Sequence, residues 1–199
     1  MNFYGWHRST GLILCCFCCL ICSLAQAGDA RSTPGDSEKA WILSAGYGIT
    51  HKGMGQTQIN VETVDLVVGR ETFLTENFGS GMLYGRHSLV VELPLSFVVD
   101  PWEDPMIGVN FLARWTFESL EDTKPYLFAG GGPIFTDAKI KGLGSNLNGN
   151  YQWGVGLRFP SRIGHELVVE YRFHHISNMN TKDPNEPLNS SKLLLGIRF

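Results

Sequence analysis

Apolar and polar residues alternate one by one along two segments near the C-terminal end of this chain, residues 166–177 and 191–199. Side chains at positions i and i+2 of a β-strand point to the same side of the sheet, so this alternation predicts strands with one apolar and one polar face. In the first segment the apolar face is formed by Leu167, Val169, Tyr171 and Phe173, opposite Glu166, Glu170 and Arg172. In the second segment Leu193, Leu195, Ile197 and Phe199 lie opposite Lys192, Leu194, Gly196 and Arg198.

Similar segments recur along the chain and are separated by turns rich in Gly, Asn, Asp and Pro. Most are near the ~9–11 residues that a tilted strand needs to cross a membrane. The pattern predicts an all-β fold over residues 41–199, and together with the features of the two chain ends described below it predicts an eight-stranded antiparallel up-and-down transmembrane β-barrel. The predicted strands are 41–50, 61–73, 88–99, 106–118, 125–136, 150–159, 166–177 and 191–199, which leaves a long connection at residues 74–87.

The first residues predict a secretory signal peptide over 1–27, followed by a polar leader over 28–40. His7 and Arg8 precede an apolar run too short for a spanning helix, and Ala25 and Ala27 form a small-residue cleavage site. All five cysteines lie in this segment, so the mature chain would have neither disulfide nor thiol chemistry. The net charge of −3, without a basic cluster, argues against nucleic acid as a partner.

Alternation alone does not separate a membrane barrel from a soluble β-sandwich with a charged outer face. The signal peptide and the terminal Phe199 favour the membrane barrel, because such a Phe looks like the recognition signal that inserts barrels into the bacterial outer membrane. Trp102, Trp115 and Tyr126 are then expected in aromatic girdles at the membrane interfaces.

The apolar face of the 166–177 segment continues into His175 and Ser177, a general base and a hydroxyl nucleophile on one side of a strand. With a periplasmic N-terminus this pair lies at the outer end of the seventh strand, facing the lipid of the outer leaflet. The pattern is typical of ester hydrolysis on a lipid, with Ser177 attacking the carbonyl and His175 transferring the proton. Asn178 is the best side-chain donor for the oxyanion, and backbone amides as far as Asn180 are further candidates.

The run Phe173-His174-His175-Ile176-Ser177-Asn178, followed by a Pro-Asn loop and a short terminal strand, resembles the lipid A 3-O-deacylase (PagL), or acyloxyacyl hydrolase-like, family. That resemblance implies an outer-membrane barrel that removes the acyl chain ester-linked at position 3 of lipid A. Its partners would be lipopolysaccharide and other outer-membrane lipid. It also implies that His175 is the base, Ser177 the nucleophile and Asn178 an oxyanion residue.

The chain departs from the family at the third triad position, where the family has an acid just before the last strand. The matching residue is Asn189, which shares the outward face with Leu193, while Glu186 remains the alternative if the loop folds back. An amide can orient an imidazole but stabilises its charged form less, and the analogous Asp-to-Asn change in a serine protease costs about 10⁴ in rate. Asn189→Asp is therefore expected to preserve or raise the rate.

No metal is expected, because the adjacent His174 and His175 point to opposite faces, and no cofactor is implied. The competing hypothesis is a small barrel without catalysis that has a structural or adhesive role. The sequence leaves open which acyl chain is cut and which oligomer forms.

Overall fold

The computed structural model describes residues 39–120, 122–137, 140–162 and 164–199, apart from the side chains of residues 76 and 77. The predicted signal peptide and most of the predicted leader lie outside the described residues. Among the residues described, no helix is long and apolar enough to cross a membrane. The strands are β1 (Lys39–Thr50), β2 (Glu62–Phe78), β3 (Gly85–Asp100), β4 (Asp104–Gly108), β5 (Asn110–Phe117), β6 (Lys124–Thr136), β7 (Leu147–Pro160), β8 (Glu166–Ser177) and β9 (Leu188–Arg198).

The strands form one antiparallel sheet, and pairing between β1 and β9 closes it into a ring. β4 and β5 are two parts of one barrel strand, because both lie between β3 and β6 and are interrupted only at Val109. The ring therefore has eight strands, which confirms the prediction. Closure gives hydrogen-bond partners to both edges of the sheet, as lipid requires because it offers no water to exposed N–H and C=O groups.

The two faces of the sheet have the polarity predicted for a membrane barrel. On β8 the outward side chains of Leu167 and Tyr171 are exposed, whereas the inward Glu170 and Arg172 are buried. An apolar exterior around a polar interior is the arrangement of outer-membrane barrels. Large exposed side chains of the other strands include Trp41, Tyr47, Leu93, Phe97, Ile107, Phe111, Leu127, Phe135, Trp153, Val155, Leu193 and Leu195.

Ion pairs neutralise the charges inside the barrel. The carboxylate of Glu71 lies 2.6 Å from Arg158, 2.7 Å from Arg198 and 3.5 Å from Arg114, and its side chain is fully buried. A buried charge persists only when it is paired in this way, because its transfer out of water is costly.

A second interior cluster is centred on Arg172, whose guanidinium donates to Glu92 at 2.7 Å and also pairs with Glu170. Glu170 accepts a further hydrogen bond from the hydroxyl of Tyr126 at 2.7 Å. Polar side chains such as Glu170 and Arg172 therefore fill the interior of the barrel.

The prediction that Tyr126 belongs to an aromatic girdle is wrong, because its side chain is buried in the interior. The ring takes the space beside Gly156, where an added Cβ would lie 2.2 Å from the ring atom Cζ. Trp115 does join an aromatic group, with Phe78 and His87 at centroid distances of 5.7 Å and 5.2 Å. Trp102 instead packs against apolar residues inside the barrel, at the end where β8 finishes.

The long connection predicted at residues 74–87 is also wrong. β2 extends to Phe78 and β3 begins at Gly85, with register shifts on either side of Thr75. The sequence pattern does not reveal this part of β2 as a strand, because its residues are mostly polar and do not alternate with apolar ones. Bulges let a strand continue without strict alternation. β1 begins at Lys39, so the last two residues of the predicted leader belong to the first strand.

An apolar cluster fills the barrel at the end where β8 finishes. It contains Val61, Val98, Met106, Ile134, Ile140, Ile176 and Leu188. Ile176 lies between the outward-facing His175 and Ser177, and Leu188 precedes Asn189, so this packing holds the backbone that carries the candidate site.

Loss of the buried charge at Glu71 should destabilise the barrel. In Glu71→Gln three arginines lose their shared counter-charge, so we expect the free energy of unfolding to fall by about 3–5 kcal/mol, measured by urea titration in bilayers. Glu103→Gln, at an exposed position, should change it by less than about 0.5 kcal/mol. Equal stability of the two variants would contradict the structural role of the Glu71 cluster.

Candidate active site

The candidate site lies on the outside of the barrel, at the end that carries the connections 51–61 and 178–187. The short connection 79–84 lies at the opposite end. Outer-membrane barrels have short periplasmic turns and longer extracellular loops, so the site is at the extracellular end. Its side chains therefore face the outer leaflet.

His175 is held on this surface by its neighbours in the sheet. It lies opposite Tyr151 on β7 and opposite Asn189 on β9, because the registers of both strand pairs put these residues at the same level. Its Nδ1 is 2.7 Å from Oδ1 of Asn189, and its ring stacks on that of Tyr151 at a centroid distance of 4.4 Å. One ring edge and one ring face of His175 are thus fixed.

The sequence had suggested that Asn189 lies just before the last strand. In the structure Asn189 belongs to strand β9. Its side-chain amide nitrogen donates to the carbonyl oxygen of Met54 and to the hydroxyl of Thr57, each at 3.0 Å. Both acceptors belong to the β1–β2 connection. The structure brings Asn189 to His175, as the shared face predicted.

Glu186, the alternative partner of His175, lies elsewhere. Its backbone N–H donates to the carbonyl oxygen of Gly142 at 2.7 Å. Its side chain covers the same glycine, where an added Cβ would lie 2.8 Å from Oε2. The loop therefore turns Glu186 toward residue 142. Asn189 is the residue that contacts the imidazole of His175.

Ser177 lies on the same outward face as His175, two residues further along β8. Residues two apart on a strand are separated by roughly 6.6 Å, and the side chains of His175 and Ser177 can cover part of this distance. Among the hydrogen bonds of the described residues none joins Ser177 to His175, and catalytic contacts are often long before a substrate binds. The cross-strand neighbour of Ser177 is Gly149, whose missing side chain leaves space that borders Met179.

The predicted oxyanion residues Asn178 and Asn180 belong to one tight turn. Met179 and Asn180 have φ values of 55° and 58°, and the N–H of Thr181 donates to the carbonyl oxygen of Asn178 at 3.1 Å. Met179 and Asn180 are the two central residues of this turn, and each has a backbone N–H group. Within the described residues neither N–H has a hydrogen-bond acceptor.

The Asn178 side chain is buried and holds the loop together. Its amide nitrogen donates to the carbonyl oxygens of Lys182 at 2.6 Å and Pro184 at 3.1 Å, and its backbone N–H donates to Oδ1 of Asn185 at 2.9 Å. Asn180 accepts from the same Asn185 at 2.7 Å. These contacts use the donors of Asn178 that the sequence had assigned to the oxyanion, so any oxyanion role for Asn178 would need the loop to rearrange.

Sequence reasoning assigned no role at the site to several of its neighbours, among them Ser191, Tyr171 and His51. Ser191 lies two residues below Asn189 on β9 and contacts both His51 Nε2 and the Tyr171 hydroxyl at 2.7 Å. Parity could have found Ser191 and Tyr171, because both share the outward face. His51 is in a connection, where no periodicity indicates its direction. No group of three His, Cys, Asp or Glu side chains in the described ranges is placed to hold a metal ion.

The fold and the site define an outer-membrane β-barrel with a histidine, a serine and an asparagine on its lipid-facing surface. The chain belongs to the family described as lipid A 3-O-deacylase (PagL), which matches residues 69–198. This match confirms the resemblance read from the sequence. The protein is a bacterial outer-membrane protein.

Two solved structures share the fold. The crystal structure of the outer membrane enzyme PagL is 22% identical, covers 79% of this chain and 97% of its own, and gives a TM-score of 0.58. The crystal structure of Neisserial surface protein A is 15% identical, covers 81% of this chain and 96% of its own, and gives a TM-score of 0.59. No curated protein matches this chain.

The loop-holding role of Asn178 can be measured by hydrogen exchange. Asn178→Ala removes two hydrogen bonds to loop carbonyls, so the amides of Thr181 and Glu186 should exchange at least about tenfold faster. Asn60→Ala, at an exposed position in the β1–β2 connection, should leave those amides unchanged. Unchanged exchange in Asn178→Ala would show that the loop is held by other contacts.

Proposed function

We propose that this protein is a serine esterase that removes an ester-linked acyl chain from lipid A in the outer leaflet. The observation that carries the proposal is the contact between His175 Nδ1 and Asn189 Oδ1 on the lipid-facing surface, two residues from Ser177. An oriented imidazole beside a hydroxyl is the arrangement that activates a serine nucleophile. Membership of the lipid A 3-O-deacylase family supports the same substrate class.

The reaction follows from the roles of these three side chains. Oγ of Ser177 bonds to the ester carbonyl carbon while its proton passes to Nε2 of His175. Collapse of the tetrahedral intermediate breaks the bond to the sugar oxygen, which takes the proton from His175 and leaves as an alcohol. Water then attacks the acyl-serine with His175 as the base and releases the fatty acid.

The oxyanion of the intermediate needs donors close to Ser177. We assign this role to the backbone N–H groups of Met179 and Asn180, which the turn after β8 leaves without acceptors among the described residues. Preorganised N–H donors stabilise developing negative charge without reorganising during the reaction. Asn178 contributes indirectly, because its side chain fixes the loop that presents these groups.

The location of the site supports a membrane lipid as the substrate. Tyr151, Trp153, Leu193 and Leu195 are exposed on the outer surface around and below His175, so they contact hydrocarbon. The sugar end of the substrate would lie level with the loops, while its acyl chains lie along this apolar surface. A soluble ester would have no comparable contact.

The proposal is tested by mass spectrometry of lipid A from cells that express the protein or its variants. The wild-type protein should produce lipid A that lacks one acyl chain. Ser177→Ala and His175→Ala should lower this deacylation about 10³-fold or more, because members of a catalytic group act as a unit. Heat-dependent gel mobility would verify that each variant is folded.

Ser80→Ala is the matched control, because Ser80 is exposed in the connection at the opposite end of the barrel. It should deacylate lipid A at the wild-type rate. Full activity in Ser177→Ala would contradict its role as nucleophile. Unmodified lipid A in cells that contain folded wild-type protein would favour the alternative, a barrel with a structural or adhesive role.

A further inference from the structure

Thr57 connects the loop after β1 to the candidate catalytic residues His175 on β8 and Asn189 on β9. Its side chain is buried, with 1% of its surface exposed. The hydroxyl donates to the carbonyl oxygen of Pro187 at 2.9 Å, just before β9. It also accepts from the backbone N–H of Asn189 at 2.9 Å and from its side-chain amide at 3.0 Å.

These contacts fix the orientation of the Asn189 amide. A hydroxyl has one proton, and Thr57 uses it on the carbonyl oxygen of Pro187, so toward Asn189 it can only accept. The carbonyl oxygen of Met54, 3.0 Å from the same amide, also only accepts. The NH₂ end of Asn189 must face Met54 and Thr57, and its oxygen must face His175.

The orientation of Asn189 in turn fixes the proton on His175. Oδ1 of an amide only accepts hydrogen bonds, so the atom that contacts it, Nδ1 of His175, must carry a hydrogen. In the neutral ring Nε2 is then unprotonated and has a free lone pair. A general base for Ser177 requires this tautomer.

We propose that Thr57 is a positioning residue that sets the tautomer of His175 through Asn189. This inference rests on the proposed function, since it matters only if His175 is the base. Thr57 touches no reacting atom and acts by keeping the Asn189 amide from rotating. The loop between β1 and β2 is thereby part of the catalytic arrangement.

The same contacts explain why this position has an amide and not an acid. In Asn189→Asp one carboxylate oxygen would take the place of the amide nitrogen, 3.0 Å from the carbonyl oxygen of Met54 with no proton between them. Two acceptors at that distance repel each other, and the carboxylate would turn away from one of its neighbours. The surroundings of Asn189 therefore reverse the expectation from sequence that Asn189→Asp preserves or raises the rate.

The test compares Thr57→Val, which has the same shape without the hydroxyl, with Thr57→Ser, which keeps it. Deacylation of lipid A by the full chain in micelles should fall about tenfold or more in Thr57→Val, and most of it should be retained in Thr57→Ser. Asn189→Asp should also lower the rate. Thr123→Val, in the connection after β5, should be as active as the wild type.

A second measurement reads the tautomer directly. ¹⁵N NMR of the imidazole in the wild-type protein should show a proton on Nδ1 of His175 and none on Nε2, and Thr57→Val should show a mixture of tautomers. A role of Thr57 in loop packing alone would lower the rate in both Thr57 variants and leave the tautomer unchanged.

The inference is overturned if Thr57→Val is as active as Thr57→Ser, if wild-type His175 carries its proton on Nε2, or if Asn189→Asp is faster than the wild type. The failure of the proposed function looks different. In that case folded wild-type protein and Ser177→Ala would both leave lipid A intact. The NMR comparison of wild type with Thr57→Val would still decide whether Thr57 sets the tautomer.

Discussion

Hydrogen bonding between β1 and β9 is the contact on which the rest of the structure depends. It closes the sheet, so the backbone groups of the two terminal strands have partners in a medium without water. It also brings the connection after β1 beside the start of β9, where the N–H of His51 donates to the carbonyl oxygen of Asn189 at 2.8 Å. Met54 and Thr57 reach Asn189 only because the first and last strands are neighbours. Closure of the barrel thus assembles the candidate site as well as the fold.

The alternation that makes the barrel also determines where its chemistry can lie. Inward positions hold buried ion pairs such as that of Arg172 with Glu92. These pairs fill the interior and have a structural role. Outward positions along β8 are apolar until the strand reaches His175 and Ser177 at its outer end. A polar side chain that faces lipid is stabilised by partners on the same surface, since lipid offers none. His175 has such a partner in Asn189, and Ser191 has partners in His51 and Tyr171.

The sequence predicts those parts of this arrangement that follow from the alternation of side-chain direction along a strand. Parity alone puts His175 and Ser177 on one face and adds Asn189 to it from the neighbouring strand. Parity does not give the direction of Tyr126, because both faces of β6 are apolar around it, and its ring turns inward where Gly156 lies across from it. Parity fails for residues 74–78, where bulges interrupt the alternation. Thr57 could not have been predicted, because it is in a connection and its partner is brought near by closure of the ring.

The amide at position 189 illustrates how local hydrogen bonding would limit the proposed catalysis. A carboxylate would stabilise the protonated imidazole by its charge, but Asn189 is only 8% exposed and has two acceptors on its far side. A charge placed there would lose water and face the carbonyl oxygen of Met54, and its desolvation would offset the attraction to His175. The amide nitrogen of Asn189 donates hydrogen bonds to Met54 and Thr57, and its oxygen accepts one from His175. In the proposed mechanism the amide orients the imidazole without adding a stabilising charge, so the hydrogen-bond partners of residue 189 define this position as much as the proposed reaction does.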